Sequence, residues 1–498
     1  MAWALLVAAA FTTTLLLSRG TALWLDEAQT VGIARLPVPD LLRALRTDGS
    51  PPFYYLLLHG WMRIFGSGDL AARSLSAVLA VGAVALIPYA GRLFGGKRTA
   101  AASALLLASA PFVHRYATEA RMYTLVILLT VGWIVLVRGA LDQPDTGVLA
   151  GVAVVTGLLL LTHYWAFFLL AVAGASLVLR WWRAASGGAS RQASRRVLSA
   201  LALGALAFLP WVPAFLSQLR HTGAPWGGTP GPWMFEASLR ALAGDHGGVG
   251  LLGFVYVFLA ALGLWGQAAA GGHLELDLAG RPVARPLALV VGGTLTLALV
   301  VSQLAGSAFA PRYAAVVLVP FLLLAGRGLA LIEHRRALPL VVAVLVVLGL
   351  HQSFDAVAAA RTEAPRIASV LRSRAQPGDL VAFCPDQLAP AVVRLMGPSA
   401  VDIATYPPGS PGERVNWVDY LERARRTRPA TFAASLHQRA AGATVWLAWS
   451  PNYRAVGGAC RGVTSKLRRL RPSFTRAALE DYSAYEHASL WRFPPTDD

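Results

Sequence analysis

Apolar stretches approaching the thickness of a bilayer recur along the chain as far as residue 352, separated by short polar turns. Eleven are read as membrane spans, at about 3 to 19, 70 to 91, 99 to 113, 121 to 138, 146 to 161, 165 to 180, 197 to 213, 249 to 266, 286 to 304, 313 to 331 and 337 to 352. The long loop between the first two has its own pattern. Pro39-Asp40 can start a helix, Leu41, Leu42 and Leu45 share a face, and Asp48-Gly49-Ser50-Pro51-Pro52 breaks it. The next run, FYYLLLHGWMRIF from Phe53 to Phe65, is strongly apolar but too short to span at about 1.5 Å per residue. Two amphipathic helices lying in the interface as a roof over the bundle satisfy both halves. From about residue 358 charges become frequent and no apolar run is long enough to cross. Residues 380–384, 444–449 and 489–493 read as strands, and 416–426 and 455–470 as helices. The expected fold is therefore a polytopic α-helical membrane domain over residues 1–355, with interfacial helices in its first outer loop. A small extracytoplasmic α/β domain follows over 356–498.

Composition agrees with that pattern. Hydrophobic residues are 56% of the chain and charged residues 14%, and the mean hydropathy is +0.53, against roughly a quarter charged in soluble domains. Basic residues give the orientation. With a cytoplasmic N-terminus, the cytoplasmic turns and adjoining span ends hold fourteen, among them Arg98, Arg138, Arg196, Arg327 and Arg335. The opposite short loops after the second span hold five, Arg115, Arg121, Arg220, Arg240 and Arg312. The first span dissents, since Met1 to Trp3 has no basic side chain and Arg19 follows on the outer side. The sum of the later loops outweighs it, and the lack of a charged n-region argues for a retained helix over a cleaved signal. The net charge of +18 does not point to nucleic acid, because much of it fixes topology and meets anionic membrane lipid, and no nucleic-acid-binding motif accompanies it. The two cysteines, Cys384 and Cys460, both fall in the tail. A disulfide and two separate packed thiols are both open readings.

The candidate chemistry lies at the outer junctions. Trp24-Leu25-Asp26-Glu27-Ala28 places two carboxylates where the chain leaves the first span. Charges held beside hydrocarbon are costly and mark sites where charge is used, although an ordinary solvated loop is the alternative. The next junction packs His114, Arg115, Glu119, Arg121 and Tyr123 between two spans, and Thr162-His163-Tyr164-Trp165 and Pro311-Arg312-Tyr313 repeat the theme. An aromatic belt accounts for Tyr164, Trp165 and Tyr313 without further function. Arg312 opens a span with no acidic neighbour in sequence, so a phosphate or a carboxylate from another loop should meet it.

Taken together, the DEA tract, the SPPFYYLLLHGWMRIFG loop, ATEARMYTL, THYW and the late PRY resemble bacterial family-39-type glycosyltransferases of the GT-C superfamily, akin to protein O-mannosyltransferases and aminoarabinose transferases of lipid A. The resemblance covers roughly residues 20 to 330. It implies a GT-C-type fold, a location in the bacterial cytoplasmic membrane, and inverting transfer of a sugar from a polyprenyl-phosphate donor to a lipid, glycan or protein acceptor outside the cytoplasm. By motif position it implies catalytic roles for Asp26, supported by Glu27, and for Glu119. Arg121, Tyr123, His163, Tyr164, Arg312 and Tyr313 would serve the substrates, with Arg312 a phosphate contact. Where many relatives carry His-Pro-Pro this chain has Ser50-Pro51-Pro52, so no role of that histidine carries over. The resemblance singles out no cofactor. A divalent cation held by Asp26 and Glu119 is compatible with the residues but not demanded by them. Specificity is expected in the roof, in the loop from Gln218 to Gly250 with Trp226 and Trp233, and in the tail.

The rival reading is a transporter or flippase of a lipid-linked or anionic substrate. Transporters commonly bind near the midplane between internal repeats. Here the polar residues gather at outer helix ends and no repeat is visible. A membrane sensor with an outer domain is a third reading.

Overall fold

The computed structural model describes residues 2–223, 230–244, 250–269, 273–305, 309–334, 336–440, 442–479 and 484–496. Trp226 and Arg335 lie outside them. The chain begins with α1 (Ala2–Leu17), α2 (Leu25–Ala34), α3 (Val38–Asp48) and α4 (Phe53–Phe65). A bundle follows: α5 (Asp69–Ser109), α6 (Pro111–Ala117), α7 (Tyr123–Asp142), α8 (Thr146–Leu160), α9 (Ala166–Arg183), α10 (Ala189–Leu206), α11 (Val212–His221), α12 (Trp233–Leu242) and α13 (Leu251–Trp265). The hairpin of β1 (Gly266–Ala268) and β2 (Leu274–Leu276) leads to α14 (Arg285–Ala305), α15 (Ala315–Ala330) and α16 (Ala337–Ala358).

Among the described residues, seven helical stretches are long and apolar enough to cross a membrane, and α8 and α13 are shorter apolar helices. Each of the eleven predicted spans coincides with a helix or with half of α5. That 41-residue element is divided at Gly95-Gly96. Gly96 has φ +75°, a conformation that costs glycine little and other residues more. Arg327 pins the bend, its guanidinium donating to the carbonyls of Phe94 at 3.2 Å and Gly263 at 2.8 Å. Of the borders that differ from expectation, two do so for one reason, proline. The third span ends at Ser109 because Pro111 opens the separate helix α6, and the seventh ends at Leu206, where Pro210 and Pro213 reset the chain into a 3-10 turn and α11. The pair α13 and α15 packs closely through glycine. A Cβ on Gly263 would lie 2.0 Å from the Leu324 carbonyl oxygen, and one on Gly328 would lie 1.9 Å from that of Leu259.

Helix α4 keeps the predicted limits, Phe53–Phe65, and α3, Val38–Asp48, starts one residue before the expected Pro39-Asp40 and stops at the expected break. Helix α2 was not anticipated. It turns the Asp-Glu tract from a loop into the first turn of a ten-residue helix.

The tail comprises α17 (Ala364–Arg374), β3 (Leu380–Cys384), α18 (Ala389–Met396), β4 (Asp402–Thr405), α19 (Tyr420–Arg426), α20 (Pro429–Arg439), β5 (Val445–Trp449), α21 (Gly457–Leu470), β6 (Thr475–Ala478) and β7 (Ser489–Phe493). Its sheet has the order β4-β3-β5-β7-β6, with β3 parallel to β4 and β5, and β7 antiparallel to β5 and β6. Both central strands are apolar throughout because both faces are covered. Leu380, Ala382, Cys384, Val445 and Leu447 pack with Phe432, Leu436, Val463 and Leu467 of α20 and α21. Val381, Phe383, Trp446 and Ala448 pack with Ile367, Leu371 and Val392 of α17 and α18, in a core continuous with that of the helical bundle. Helix α19 starts later than expected. Asn416 and Trp417 precede it, and Asp419 at φ +49° makes the entry.

Cys384 and Cys460 form a disulfide between β3 and α21. It closes a loop of 76 residues, which constrains the unfolded chain by about 4 kcal/mol in the loop-entropy model. Replacing both cysteines by alanine should lower tail stability by about that amount, read as a lower thermal midpoint of unfolding. An unchanged midpoint would remove the crosslink as a stabilising element.

Candidate active site

Four of the polar junctions between helices converge where the tail meets the bundle. Asp26, in the first turn of α2, has its carboxylate 3.5 Å from the Arg312 guanidinium and 3.8 Å from that of Arg121. The carboxylate that Arg312 was expected to meet from another loop is therefore Asp26. Arg121 also donates to Thr30 Oγ1 at 3.1 Å, one turn further along α2. The Asp26 side chain retains 19% exposure, enough to be reached from the cavity beside it.

The other two acids are engaged differently. Glu27 is fully buried and takes a two-point ion pair from Arg73 of α5, at 2.8 Å from Nε and 2.7 Å from Nη2. It also accepts the Ala120 backbone N–H at 3.0 Å. Arg73 spends its remaining donors on the carbonyls of Ser18 and Thr21, each at 2.9 Å, and of Ala22 at 3.2 Å. This cluster ties the end of α1, the start of α2 and the α6–α7 junction together. Glu119, also buried, pairs with Arg361 from the segment between α16 and α17, and with Arg115 at 3.5 Å.

Among these described groups, five guanidiniums (Arg73, Arg115, Arg121, Arg312 and Arg361) surround three carboxylates. The excess of positive charge in a partly buried site favours an anionic ligand. A further carboxyl, Glu486 of the tail, lines the same cavity as Asp26. Burial pushes Glu486 up to about 8, with the charges of Asp26 and Glu27 acting in the same direction.

The remaining sequence candidates fall into two aromatic groups. The Tyr123 ring lies tilted against His163 (centroids 5.9 Å), which in turn meets Tyr313 edge-on at 5.1 Å. Nδ1 of His163 accepts the Trp165 backbone N–H at 3.1 Å. Tyr164 belongs to a separate cluster. Its hydroxyl donates to Gln218 and accepts from Trp211 Nε1 at 3.0 Å, and its ring packs on Phe215. Among the described residues no three His, Cys, Asp or Glu side chains converge as a metal set, and Asp26 and Glu119 each face arginines.

A cavity of about 850 Å³ opens beside Asp26. Trp24, Asp26, Arg115 and Arg312 line it from the bundle, and Tyr453, Arg454, Tyr485 and Glu486 line it from the tail. Sequence reasoning missed the tail's half of this wall, and it missed Arg73 and Arg361. Arg73 did leave a signal, as an arginine in the first turns of an apolar helix. Nothing local marks Arg361 or Glu486.

Residues 49–213 match the family described as dolichyl-phosphate-mannose-protein mannosyltransferase. No curated protein matches the chain significantly. Among solved structures the fold is similar to that of ArnT from Cupriavidus metallidurans bound to undecaprenyl phosphate, at 15% identity, TM-score 0.59 and 98% coverage of both chains. The apo state of that protein gives 16% identity with the same TM-score and coverage. Arabinofuranosyltransferase AftD from Mycobacteria is similar at 13% identity and TM-score 0.50, over 99% of this chain and 42% of that one. The fold is thus shared at low identity.

Proposed function

We propose that this chain, a multi-pass membrane protein of the family-39 GT-C type, moves a sugar from a polyprenyl-phosphate donor to a hydroxyl acceptor on the extracytoplasmic side of the bacterial cytoplasmic membrane. The observation that carries the reading is the Asp26 carboxylate, set between two guanidiniums at the wall of a cavity large enough for a glycosyl group. The ArnT structure bound to undecaprenyl phosphate supports a lipid-phosphate donor. The bias of basic residues and the tail disulfide support an extracytoplasmic site. A reporter active only outside the cytoplasm should work when fused to the C-terminus. Activity only in the cytoplasmic form would invert this topology.

In the proposed reaction, Asp26 takes the proton of the acceptor hydroxyl as that oxygen bonds to the anomeric carbon. The bond from that carbon to the phosphate oxygen breaks, and its electron pair stays on the phosphate. One displacement inverts the anomeric centre. The departing phosphate needs no proton, only cations, which Arg312 and Arg121 supply. Glu27 and Glu119, already paired with arginines, hold the α2 and α6–α7 backbones in place.

The direct test offers the purified protein a panel of polyprenyl-phosphate sugars with membrane-derived acceptors and measures released polyprenyl phosphate. Release with at least one donor is expected. Movement of the lipid between leaflets with no release from any donor would favour the transporter. Arg312→Lys should raise the apparent KM for the donor about ten-fold, because an ammonium cannot hold two phosphate oxygens in a fixed fork. An acceptor-only defect would shift the phosphate contact to Arg121.

A further inference from the structure

Helix α2 carries the proposed base in its first turn but has no cap of its own. Its N-cap residue is Trp24, whose side chain makes no capping hydrogen bond. The first backbone N–H groups of a helix have no partner within it. Here the Ala28 N–H returns to the Trp24 carbonyl at 2.8 Å, and the Leu25 N–H donates to the two carboxyl oxygens of Glu486, at 3.2 and 3.3 Å. That acceptor comes from the tail, 461 residues away in sequence.

We propose that Glu486 is the positioning residue for Asp26, capping α2 from the tail so that the carboxylate stands between Arg121 and Arg312. This rests on the reading of Asp26 as the base.

Glu486 is itself held at two points. Its N–H donates to the Arg361 carbonyl at 2.8 Å, and its carbonyl accepts the Glu363 N–H at 3.3 Å. The Arg361 side chain in turn pairs with Glu119. The preceding residue, Tyr485, meets the Trp24 ring edge-on at 5.8 Å between centroids. The cap is therefore fastened to the same junction that carries Arg121, and Glu486 and Asp26 line one cavity. Asp26 immediately follows the capped residue, so fraying of this turn would displace it, and a misplacement of about 1 Å can cost a reaction about 10²-fold. The Leu25 N–H needs only a carboxyl oxygen as acceptor at this point. A glutamine amide oxygen can do the same.

The test compares Glu486→Ala and Glu486→Gln in the full chain by hydrogen exchange over residues 25–28 and by donor kinetics. In E486A, exchange in this turn should quicken about five-fold, as for loss of an N-cap. Its kcat should fall about ten-fold with the donor KM within two-fold, and E486Q should restore both. If E486A does not fold, Glu486→Asp, which withdraws the carboxyl by one methylene, should show the same local exchange and the same kcat loss. Four results would overturn the proposal: unchanged exchange, faster local exchange with unchanged kcat, faster exchange spread evenly over the tail, or an E486Q enzyme as impaired as E486A. The exchange experiment needs no turnover. A chain that transfers no sugar yet shows the capping effect would fail the functional reading while keeping the contact.

Discussion

Asp26→Asn should lower sugar transfer by about 10²- to 10⁴-fold, the usual contribution of a positioned base. Asparagine preserves the side-chain volume and can still accept from the nearby guanidiniums, so the fold should hold. It removes a negative charge from between Arg121 and Arg312, at 3.8 and 3.5 Å. The donor phosphate should therefore bind as tightly as before or more tightly. A filter-binding or quenching assay with polyprenyl phosphate checks the second half, and single-turnover transfer checks the first. Near-normal turnover would end the assignment of Asp26 as base. Normal chemistry with weakened donor binding would recast Asp26 as a binding group.

The largest expected effect on stability is at Arg73. Its guanidinium is 2% exposed and neutralises Glu27, which is fully buried, while also satisfying carbonyls at the end of α1. Arg73→Ala would leave a carboxylate buried without its counter-charge, which costs about 3 to 5 kcal/mol. The variant should express poorly or unfold at markedly lower temperature in detergent. The double variant Arg73→Met with Glu27→Leu removes both charges together and should recover much of that loss. If Arg73→Ala unfolds at the parent temperature, the pair is not a structural anchor. The measurement also separates Glu27 from Asp26, because Glu27 should act on folding and Asp26 on chemistry.

The membrane part was largely legible because hydrocarbon imposes a simple code. A run of apolar residues must be a helix that satisfies its own backbone, so each predicted span falls on a helix or on half of α5, and two of the misplaced ends lie at Pro111 and at Pro210 and Pro213. The buried strands Leu380–Cys384 and Ser489–Phe493 were legible for a related reason. The edge strands Asp402–Thr405 and Thr475–Ala478 were not, since they are half exposed and carry polar residues. At the site, the motif residues at helix ends were visible because charge beside hydrocarbon is conspicuous. Their partners were not. Whether Glu119 would meet Arg115, Arg121 or Arg361 depends on a fold-back of 242 residues, and no local pattern records it. The same holds for Glu486, which reads in sequence as an ordinary acid near the end of a polar tail.

The inner face of the tail sheet, where Val381, Phe383, Trp446 and Ala448 share one continuous core with the bundle, bears on how such chains can be rearranged. A tail cut away before α17 would leave the bundle's outer end without that cover, and a tail exchanged at α17 would bring a new inner face to an old socket. Recombination between relatives should therefore succeed only when α2, α17 and α18 travel with the sheet. Heat should then melt tail and bundle as one cooperative unit rather than as two beads on a string.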